Sequence, residues 1–158
     1  MPVSVVLPDV AATSALGARL ATACCGGRVL FLRGPLGAGK TTLVRGILRE
    51  LGYTGRVKSP TYTLLELYVI SRLDFYHFDL YRITHHQELF DAGFEEYFNG
   101  QSVCVLEWPE RAQAVLPPPD LDISLELAAA GRVAQIRSGT PAGEAWLISA
   151  FPNGDAGA

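Results

Sequence analysis

The sequence predicts an α/β fold with a mainly parallel central sheet and antiparallel additions. A continuous apolar run, Val29–Leu32, leads into a glycine-rich loop and then into a helix that begins near Lys40. Such a short apolar run is typical of a buried parallel strand. Further apolar runs end in Asp79 and in Glu107. The stretch from Leu121 onward alternates between apolar and polar residues and contains a tight turn, which is typical of an antiparallel hairpin.

The loop after the first buried strand fits the phosphate-binding pattern G-x-x-x-x-G-K-[ST]. Gly34, Gly39, Lys40 and Thr41 occupy its defining positions, and Gly37 adds a third flexible point. Glycines let backbone N–H groups curl around a phosphate, and the helix that follows points its positive dipole end at the same group. The lysine then reaches the outer phosphates, and the threonine hydroxyl can bind Mg²⁺. The spacing therefore predicts a phosphate-binding P-loop that can hold a nucleotide with Mg²⁺.

The N-terminal elements follow from local signals. Ser4–Leu7 is a predicted strand that Pro8 ends, and Asp9 is a suitable N-cap for a helix reaching Ala21. The helix after the phosphate loop closes at Gly52. Its buried face has the i, i+4, i+8 spacing of one helical side, formed by Leu43, Ile47 and Leu51.

Val57–Leu64 follows as an extended segment, because Pro60 favours extended backbone before it and forbids a helix through it. Thr63–Ile70 and Leu73–Asp79 are strand-like runs on either side of a short turn. These two runs predict a hairpin, and therefore a sheet that is mixed rather than purely parallel.

The second half contains two short helices and three strands. His85–Phe90 and Phe94–Phe98 are the helical patches, and Val103–Leu106 is a second buried apolar strand. Leu121–Leu127 and Val133–Ile136 alternate with a period of two and predict a hairpin.

Length and composition indicate one globular domain. The chain has 158 residues, of which 18% are charged, a net charge of −3 and a pI near 5.6. The absence of a basic excess argues against a stand-alone nucleic-acid binder. We expect one domain over residues 1–151, with only Ala145–Phe151 ordered after Ser138 and a disordered tail over residues 152–158. The three cysteines lack metal-ligand spacing and are interpreted as reduced thiols of a cytoplasmic protein.

A P-loop ATPase needs a carboxylate at the end of a neighbouring strand to hold Mg²⁺. Asp79 and Glu107 both meet this requirement, and the sequence does not decide which lies nearer the metal. Trp108 follows the second acid and is a candidate for the edge of the site. His77 is interpreted as structural, since a single histidine in a strand usually packs or forms one hydrogen bond.

Four motifs together resemble those of the bacterial TsaE family, the small ATPases needed to form threonylcarbamoyladenosine in tRNA. These are G-P-L-G-A-G-K-T-T at Gly34–Thr42, V-K-S-P-T-Y-T-L at Val57–Leu64, H-F-D-L-Y-R at His77–Arg82, and Glu107-Trp108. The resemblance extends from about Leu7 to Ile136. It implies a P-loop NTPase-like sandwich that binds ATP with Mg²⁺. Because no arginine finger is apparent next to the loop, we expect the isolated chain to hydrolyse ATP slowly and its partners to stimulate it.

The resemblance also implies roles for individual residues. Thr41 and Glu107 would be associated with Mg²⁺, Asp79 would be the second acid near the metal or the attacking water, and Thr61 would sense the γ-phosphate. Lys40, Thr61, Asp79 and Glu107 are accordingly the expected catalytic residues. The expected nucleotide-binding residues are Val10, Gly34, Leu36, Gly37, Ala38, Gly39, Lys40, Thr41, Thr42, Trp108 and Arg132, with Val10 and Arg132 near the adenine. The implied partners are a TsaD–TsaB pair, with weak or indirect tRNA contact and no membrane.

Other functions of a P-loop chain remain open at this stage. A small kinase acting on a metabolite would need an arginine-rich lid, whereas Arg111 and Arg132 are isolated. A GTP-dependent switch would carry an [NT]-K-x-D loop, and neither Lys40 nor Lys58 lies in one. A binding module with a decayed site is disfavoured by the intact phosphate loop and by the two acids at strand ends.

Overall fold

The computed structural model describes residues 2–154, which form one seven-stranded sheet with helices on both faces. The strands are β1 (Val3–Leu7), β2 (Val29–Arg33), β3 (Leu65–Ile70), β4 (Leu73–Asp79), β5 (Val103–Glu107), β6 (Leu121–Ala128) and β7 (Gly131–Ser138). The helices are α1 (Val10–Ala21), α2 (Lys40–Leu51), α3 (Gln87–Asp91) and α4 (Pro141–Ala150), and short 3-10 turns span Phe94–Tyr97, Pro109–Arg111 and Gln113–Val115.

The strand order is β1-β7-β6-β2-β5-β4-β3, with a parallel centre and antiparallel edges. β6, β2, β5 and β4 pair in parallel, while β7 and β1 on one side and β3 on the other pair antiparallel. All five residues of β5 are buried, as expected of a strand covered on both faces. The predicted fold class, including the two hairpins, is confirmed.

Two hydrophobic clusters cover the two faces of the sheet. The larger contains Leu43 and Ile47 of α2, together with residues of α1 and α4, and packs on inward side chains such as Val105. The smaller contains Leu89 of α3 and Phe94 of the following turn, and packs on the opposite face against Phe31 and other side chains. The face covered by α2 is the one that carries the phosphate loop.

Helices α1 and α2 pack with their backbones unusually close because each has a glycine at the crossing. A Cβ added to Gly46 would lie 2.4 Å from the Ser14 carbonyl oxygen, and one added to Gly17 would lie 2.4 Å from the Leu43 carbonyl oxygen. This contact fixes α2, and with it the phosphate loop, against the N-terminal helix.

The structure differs from the sequence-based expectation at several element boundaries, and at β3 and α4 the contacts of the chain explain the difference. Strand β3 begins at Leu65 rather than at Thr63, because the chain turns through residues 61–63 and Leu64 has a positive φ of 68°. Helix α4 begins at Pro141, so the expectation of order only from Ala145 was wrong. The Thr140 hydroxyl caps this helix by accepting from the Gly143 N–H, and proline suits the first helical position.

Pro152–Gly154 follow α4 as a turn, and residues 155–158 of the predicted tail lie outside the described residues. The cysteines are free thiols, and burial raises the pKa of Cys24 and Cys104 to about 12. Within residues 2–154, no helix has the length and apolar character needed to cross a membrane.

Gly46→Ala tests the helix crossing. Alanine is the better helix former, yet the added methyl group would collide with backbone rather than with a movable side chain. We expect a loss of about 1–3 kcal/mol in the free energy of unfolding, measured by urea denaturation. Arg45→Ala, at the neighbouring exposed position of α2, is the control and should stay near wild type. A Gly46→Ala protein as stable as wild type would contradict the close crossing.

Candidate functional site

The phosphate loop lies between β2 and α2 and forms the floor of a cavity of about 300 Å³. Gly39 precedes α2 in the left-handed conformation and offers no side-chain cap, so the first N–H groups of the helix are left for another acceptor. Lys40 is only 5% exposed, and its Nζ donates to the Gly34 carbonyl oxygen at 2.6 Å. The lysine charge is therefore held inside the loop, close to the helix N-terminus.

Gly34 serves the loop through packing as well as through flexibility. It has φ 144°, and an added Cβ would lie 2.6 Å from the Leu125 carbonyl oxygen on β6. Gly34 does not line this cavity, and its contact with the site is the hydrogen bond that its carbonyl oxygen accepts from Lys40 Nζ.

Asp79 and Glu107 line the same cavity as the phosphate loop. The two residues are direct partners in the parallel pairing of β4 with β5, each at the carboxyl end of its strand. Asp79 is 6% exposed and Glu107 is 3% exposed. Carboxylates this deeply buried are costly unless they are paired, hydrogen-bonded or bound to a metal.

Both oxygens of Asp79 accept hydrogen bonds from nearby groups. Oδ1 accepts from the Tyr81 N–H at 2.9 Å, and Oδ2 accepts from the Thr61 hydroxyl at 3.2 Å. The Thr61 hydroxyl is also 2.7 Å from the Ser59 hydroxyl. Asp79 thus ties the Ser59–Leu64 segment to the end of β4.

Glu107 has a different partner. Its Oε2 lies 2.6 Å from Nε2 of His77, which is fully buried two residues before Asp79 on β4. The other ring nitrogen, Nδ1, is buried and has no hydrogen-bond partner among the residues that the structure describes. From the sequence, His77 was interpreted as a residue that packs or forms one hydrogen bond, and its contact with Glu107 was not predicted.

Trp108, a candidate from the sequence for the edge of the site, lines the same cavity, and its ring lies over the lysine amine. The Lys40 Nζ lies 4.0 Å from the centre of its ring, within the range of a cation–π contact. Trp108 has a positive φ of 57°, which is uncommon for a bulky residue and follows directly on Glu107. The Tyr81 ring packs 5.0 Å away and supports it.

A second cavity of about 200 Å³ adjoins the first along the loop, and both are lined by Gly37, Gly39 and Thr42. Val10 and Arg132, which we expected near the adenine, line this second cavity. Arg132 donates from Nη2 to the Gly37 carbonyl oxygen at 3.1 Å. The two cavities therefore form one path over the loop, with the acids at one end and Val10 and Arg132 at the other.

Most of the site residues predicted from the sequence line one of these two cavities. The first is lined by Leu36, Gly37, Gly39, Lys40, Thr41, Thr42, Thr61, Asp79, Glu107 and Trp108, and Ala38 lines the second. Ser59 also lines the first cavity and was not among the expected site residues, although it belongs to the V-K-S-P-T-Y-T-L motif that carries the family resemblance.

In the protein without a ligand, the surroundings of Lys40 and Asp79 disfavour the charged forms of both side chains. Burial lowers the pKa of the Lys40 amine, and the charges of Glu107, Asp79 and Glu110 oppose this effect. Burial raises the pKa of the Asp79 carboxyl, the Tyr81 N–H opposes the rise, and the Glu107 charge adds to it. Both groups therefore carry their charge less readily than they would in water.

The donor set fits a triphosphate with Mg²⁺ better than a metal ion held by the protein alone. Within residues 2–154, no cluster of three or more His, Cys, Asp or Glu side chains could hold a metal. A hydroxyl and a carboxylate beside a lysine-bearing loop match the usual Mg²⁺ site, in which phosphates and water complete the shell. Thr41 and Glu107 are the residues that could hold this ion.

The chain is similar to several known proteins. The family model described as "Threonylcarbamoyl adenosine biosynthesis protein TsaE" matches residues 7–134. A Haemophilus influenzae protein named tRNA threonylcarbamoyladenosine biosynthesis protein TsaE is 45% identical over 125 residues, or 79% of this chain and 78% of the relative. A relative of the same name from Treponema pallidum is 44% identical over 105 residues, or 66% of this chain and 77% of the relative. The crystal structure of YdiB from Bacillus subtilis aligns with a TM-score of 0.80 and 29% identity, covering 98% of this chain and 96% of that one.

Asp79→Asn tests the electrostatic cost of the site. Because the folded protein holds the Asp79 pKa above its unfolded value, ionisation of this group destabilises the fold at neutral pH. In metal-free and nucleotide-free protein at pH 8, we expect Asp79→Asn to be more stable than wild type by on the order of 1 kcal/mol.

The difference between the two proteins should shrink as the pH falls toward the raised pKa of the folded-state carboxyl, because the wild-type group then gains its proton in the folded protein. Urea denaturation at several pH values measures it. Asp74→Asn, at an exposed position of the same strand, should show no such pH-dependent gain. A variant less stable than wild type at pH 8 would contradict the assignment.

Proposed function

This chain belongs to the TsaE family, and on that premise we propose that it is a Mg²⁺-dependent ATPase acting in the threonylcarbamoyladenosine modification of tRNA. The family-model match and the similar relatives confirm the family predicted from the sequence. The proposal rests above all on one observation, the convergence of Lys40, Thr41, Asp79 and Glu107 on a single cavity at the phosphate loop.

The loop residues bind and orient the triphosphate. The first N–H groups of α2 and the Lys40 amine supply positive charge, and phosphate oxygens would replace the Gly34 carbonyl as the partner of Lys40 Nζ. The Trp108 ring lies over the lysine amine in a cation–π contact and helps to hold it at the loop. Val10 and Arg132, at the far end of the path, would face the adenine.

The two acids have separate tasks in this proposal. Thr41 and Glu107 would hold Mg²⁺, which neutralises negative charge on the phosphate oxygens when it is bound. Asp79 is less suited to direct metal contact, because both of its oxygens already accept hydrogen bonds. Its bond to Thr61 instead connects the end of β4 to the Ser59–Leu64 segment.

We propose that this Ser59–Leu64 segment is the point at which partners control the site. It is anchored by the Thr61–Asp79 bond and by the bond from the Leu64 N–H to the Pro60 carbonyl oxygen. Since Thr61 lines the cavity, a partner that repositions the segment would change the surroundings of the γ-phosphate. We propose a TsaD–TsaB-like pair in this role, with tRNA contacted weakly or only through the partners.

Lys40→Ala tests nucleotide binding. Loss of a desolvated charge contact costs about 2–5 kcal/mol, so ATP affinity should fall by on the order of a hundredfold. Binding can be followed by fluorescence in a Trp146→Phe background, where Trp108 is the remaining tryptophan, and verified by calorimetry with ATP and GTP.

Lys58→Ala is the matched control for this experiment. Lys58 is the only other lysine, is exposed, and lines neither cavity, so its removal should leave affinity near wild type. Undiminished ATP binding by Lys40→Ala would contradict the assignment, and a preference for GTP would contradict ATP as the nucleotide.

Steady-state ATPase measurements with and without the TsaD–TsaB-like pair test the partner-dependent step. Alone, the chain should bind ATP but hydrolyse it slowly, whereas P-loop enzymes that are stimulated by partners gain on the order of 10³–10⁵ in rate. Thr61→Ala should lower the stimulated rate because it removes the hydroxyl bonded to Asp79, and Thr61→Ser should retain it.

Thr63→Ala is the control, since the Thr63 hydroxyl bonds Glu66 at 3.1 Å and does not line the cavity. Fast hydrolysis by the chain alone, unchanged by the partners, would favour the metabolite kinase instead.

A further inference from the structure

His77 and Glu107 form a polar contact in the interior of the sheet, beside the candidate metal site. The distance from Nε2 to Oε2 is 2.6 Å, and both side chains are almost fully excluded from solvent. His77 pairs with Val105 in the β4–β5 register, so the contact crosses diagonally to the residue two positions further along β5. Such a diagonal places the imidazole behind the carboxylate, on the side away from the strand ends.

The hydrogen-bond inventory decides which nitrogen carries the proton. A carboxylate that binds a metal ion is ionised and can only accept, so Nε2 donates to Oε2 in a metal-bound site. The buried Nδ1 has no partner among the described residues, and a proton there would be a buried donor without an acceptor. The arrangement therefore favours a hydrogen on Nε2, facing Glu107.

We propose that His77 is a positioning residue for the metal site: its Nε2–H holds Oε2 of Glu107 and leaves Oε1 to bind the ion. The inference rests on the proposed function, since it assigns a task to a residue behind the acid expected to hold Mg²⁺. A carboxylate fixed through one oxygen loses rotamer freedom before the ion arrives, and hydrogen-bond partners behind metal ligands commonly contribute 10–100-fold to metal affinity.

The geometry also explains why Asp79 and Glu107 are not equivalent. Chain groups occupy both oxygens of Asp79, whereas His77 occupies only one oxygen of Glu107. His77 thereby divides the roles of two acids that the sequence alone does not distinguish.

Nuclear magnetic resonance on the metal-free, nucleotide-free wild type tests the tautomer directly. The ¹⁵N shifts and long-range couplings of His77 should show a proton on Nε2. A ring protonated on Nδ1 alone would overturn the proposal, because Nε2 could then not donate to Glu107, and this result does not depend on whether any variant folds.

Two substitutions at His77 test the effect on the metal. His77→Gln places an amide N–H near the position of Nε2, whereas His77→Leu removes the donor. His86→Leu, at an exposed position before α3, is the control. Thermal denaturation of each variant verifies that it is folded.

The readout is Mn²⁺ affinity, measured by electron paramagnetic resonance with a non-hydrolysable ATP analogue bound. We expect His77→Leu to weaken Mn²⁺ binding by about 10–100-fold, with metal-free binding of the analogue little changed, and His77→Gln to restore most of the affinity. If wild type and His77→Leu bind Mn²⁺ equally, the positioning role is wrong while the proposed function stands. If wild type itself shows no nucleotide-dependent Mn²⁺ binding, the proposed function fails and the positioning role fails with it.

Discussion

The parallel register of β4 on β5 is the constraint on which the site depends. Because Asp79 pairs directly with Glu107, both carboxylates emerge at the same edge of the sheet, on the face that α2 covers. β2 lies on the other side of β5 and delivers the phosphate loop to that edge. A shift of one residue in β5 would turn Glu107 to the opposite face, toward the aromatic cluster around Phe94. The register therefore fixes the chemistry as well as the fold.

The parts of the site predicted from sequence are those that depend on local spacing. Gly39, Lys40 and Thr41 act through a loop whose backbone is set within a few residues, and Asp79 and Glu107 end strands that their apolar runs reveal. The His77–Glu107 contact spans 30 residues and depends on a diagonal between strands, so no local pattern encodes it. The close approach of Gly34 to β6 depends on tertiary packing in the same way.

The errors at element boundaries have physical causes of the same kind. Thr63 and Leu64 have strand-like composition, yet the bond from the Leu64 N–H to the Pro60 carbonyl oxygen closes a turn before β3 begins. Pro141 and Gly143 read as breakers, yet proline is tolerated in the first turn of a helix, and Gly143 lies where a Cβ would collide with the Asp120 carbonyl oxygen. In both places, contacts within the folded chain outweigh the intrinsic secondary-structure preference of the residues.

The strain and the charge imbalance of the site occur in the same small region. Leu64 and Trp108 are among the non-glycine residues with positive φ. Leu64 ends the segment that contains Thr61, and Trp108 directly follows Glu107 at the end of β5. The Asp79 N–H donates to the Leu64 carbonyl oxygen, so the strained turn and the buried acid share one backbone link. The pKa of Asp79 is raised and that of Lys40 is lowered, which means that the charges most useful to a ligand are destabilising in its absence. A ligand that carries phosphate together with a metal ion would offset both costs. The negative phosphate would stabilise the charged Lys40 amine, and the positive ion would stabilise the charged Asp79 carboxylate. The fold thus holds its site ready for such a ligand at the expense of its own stability, as functional sites commonly do.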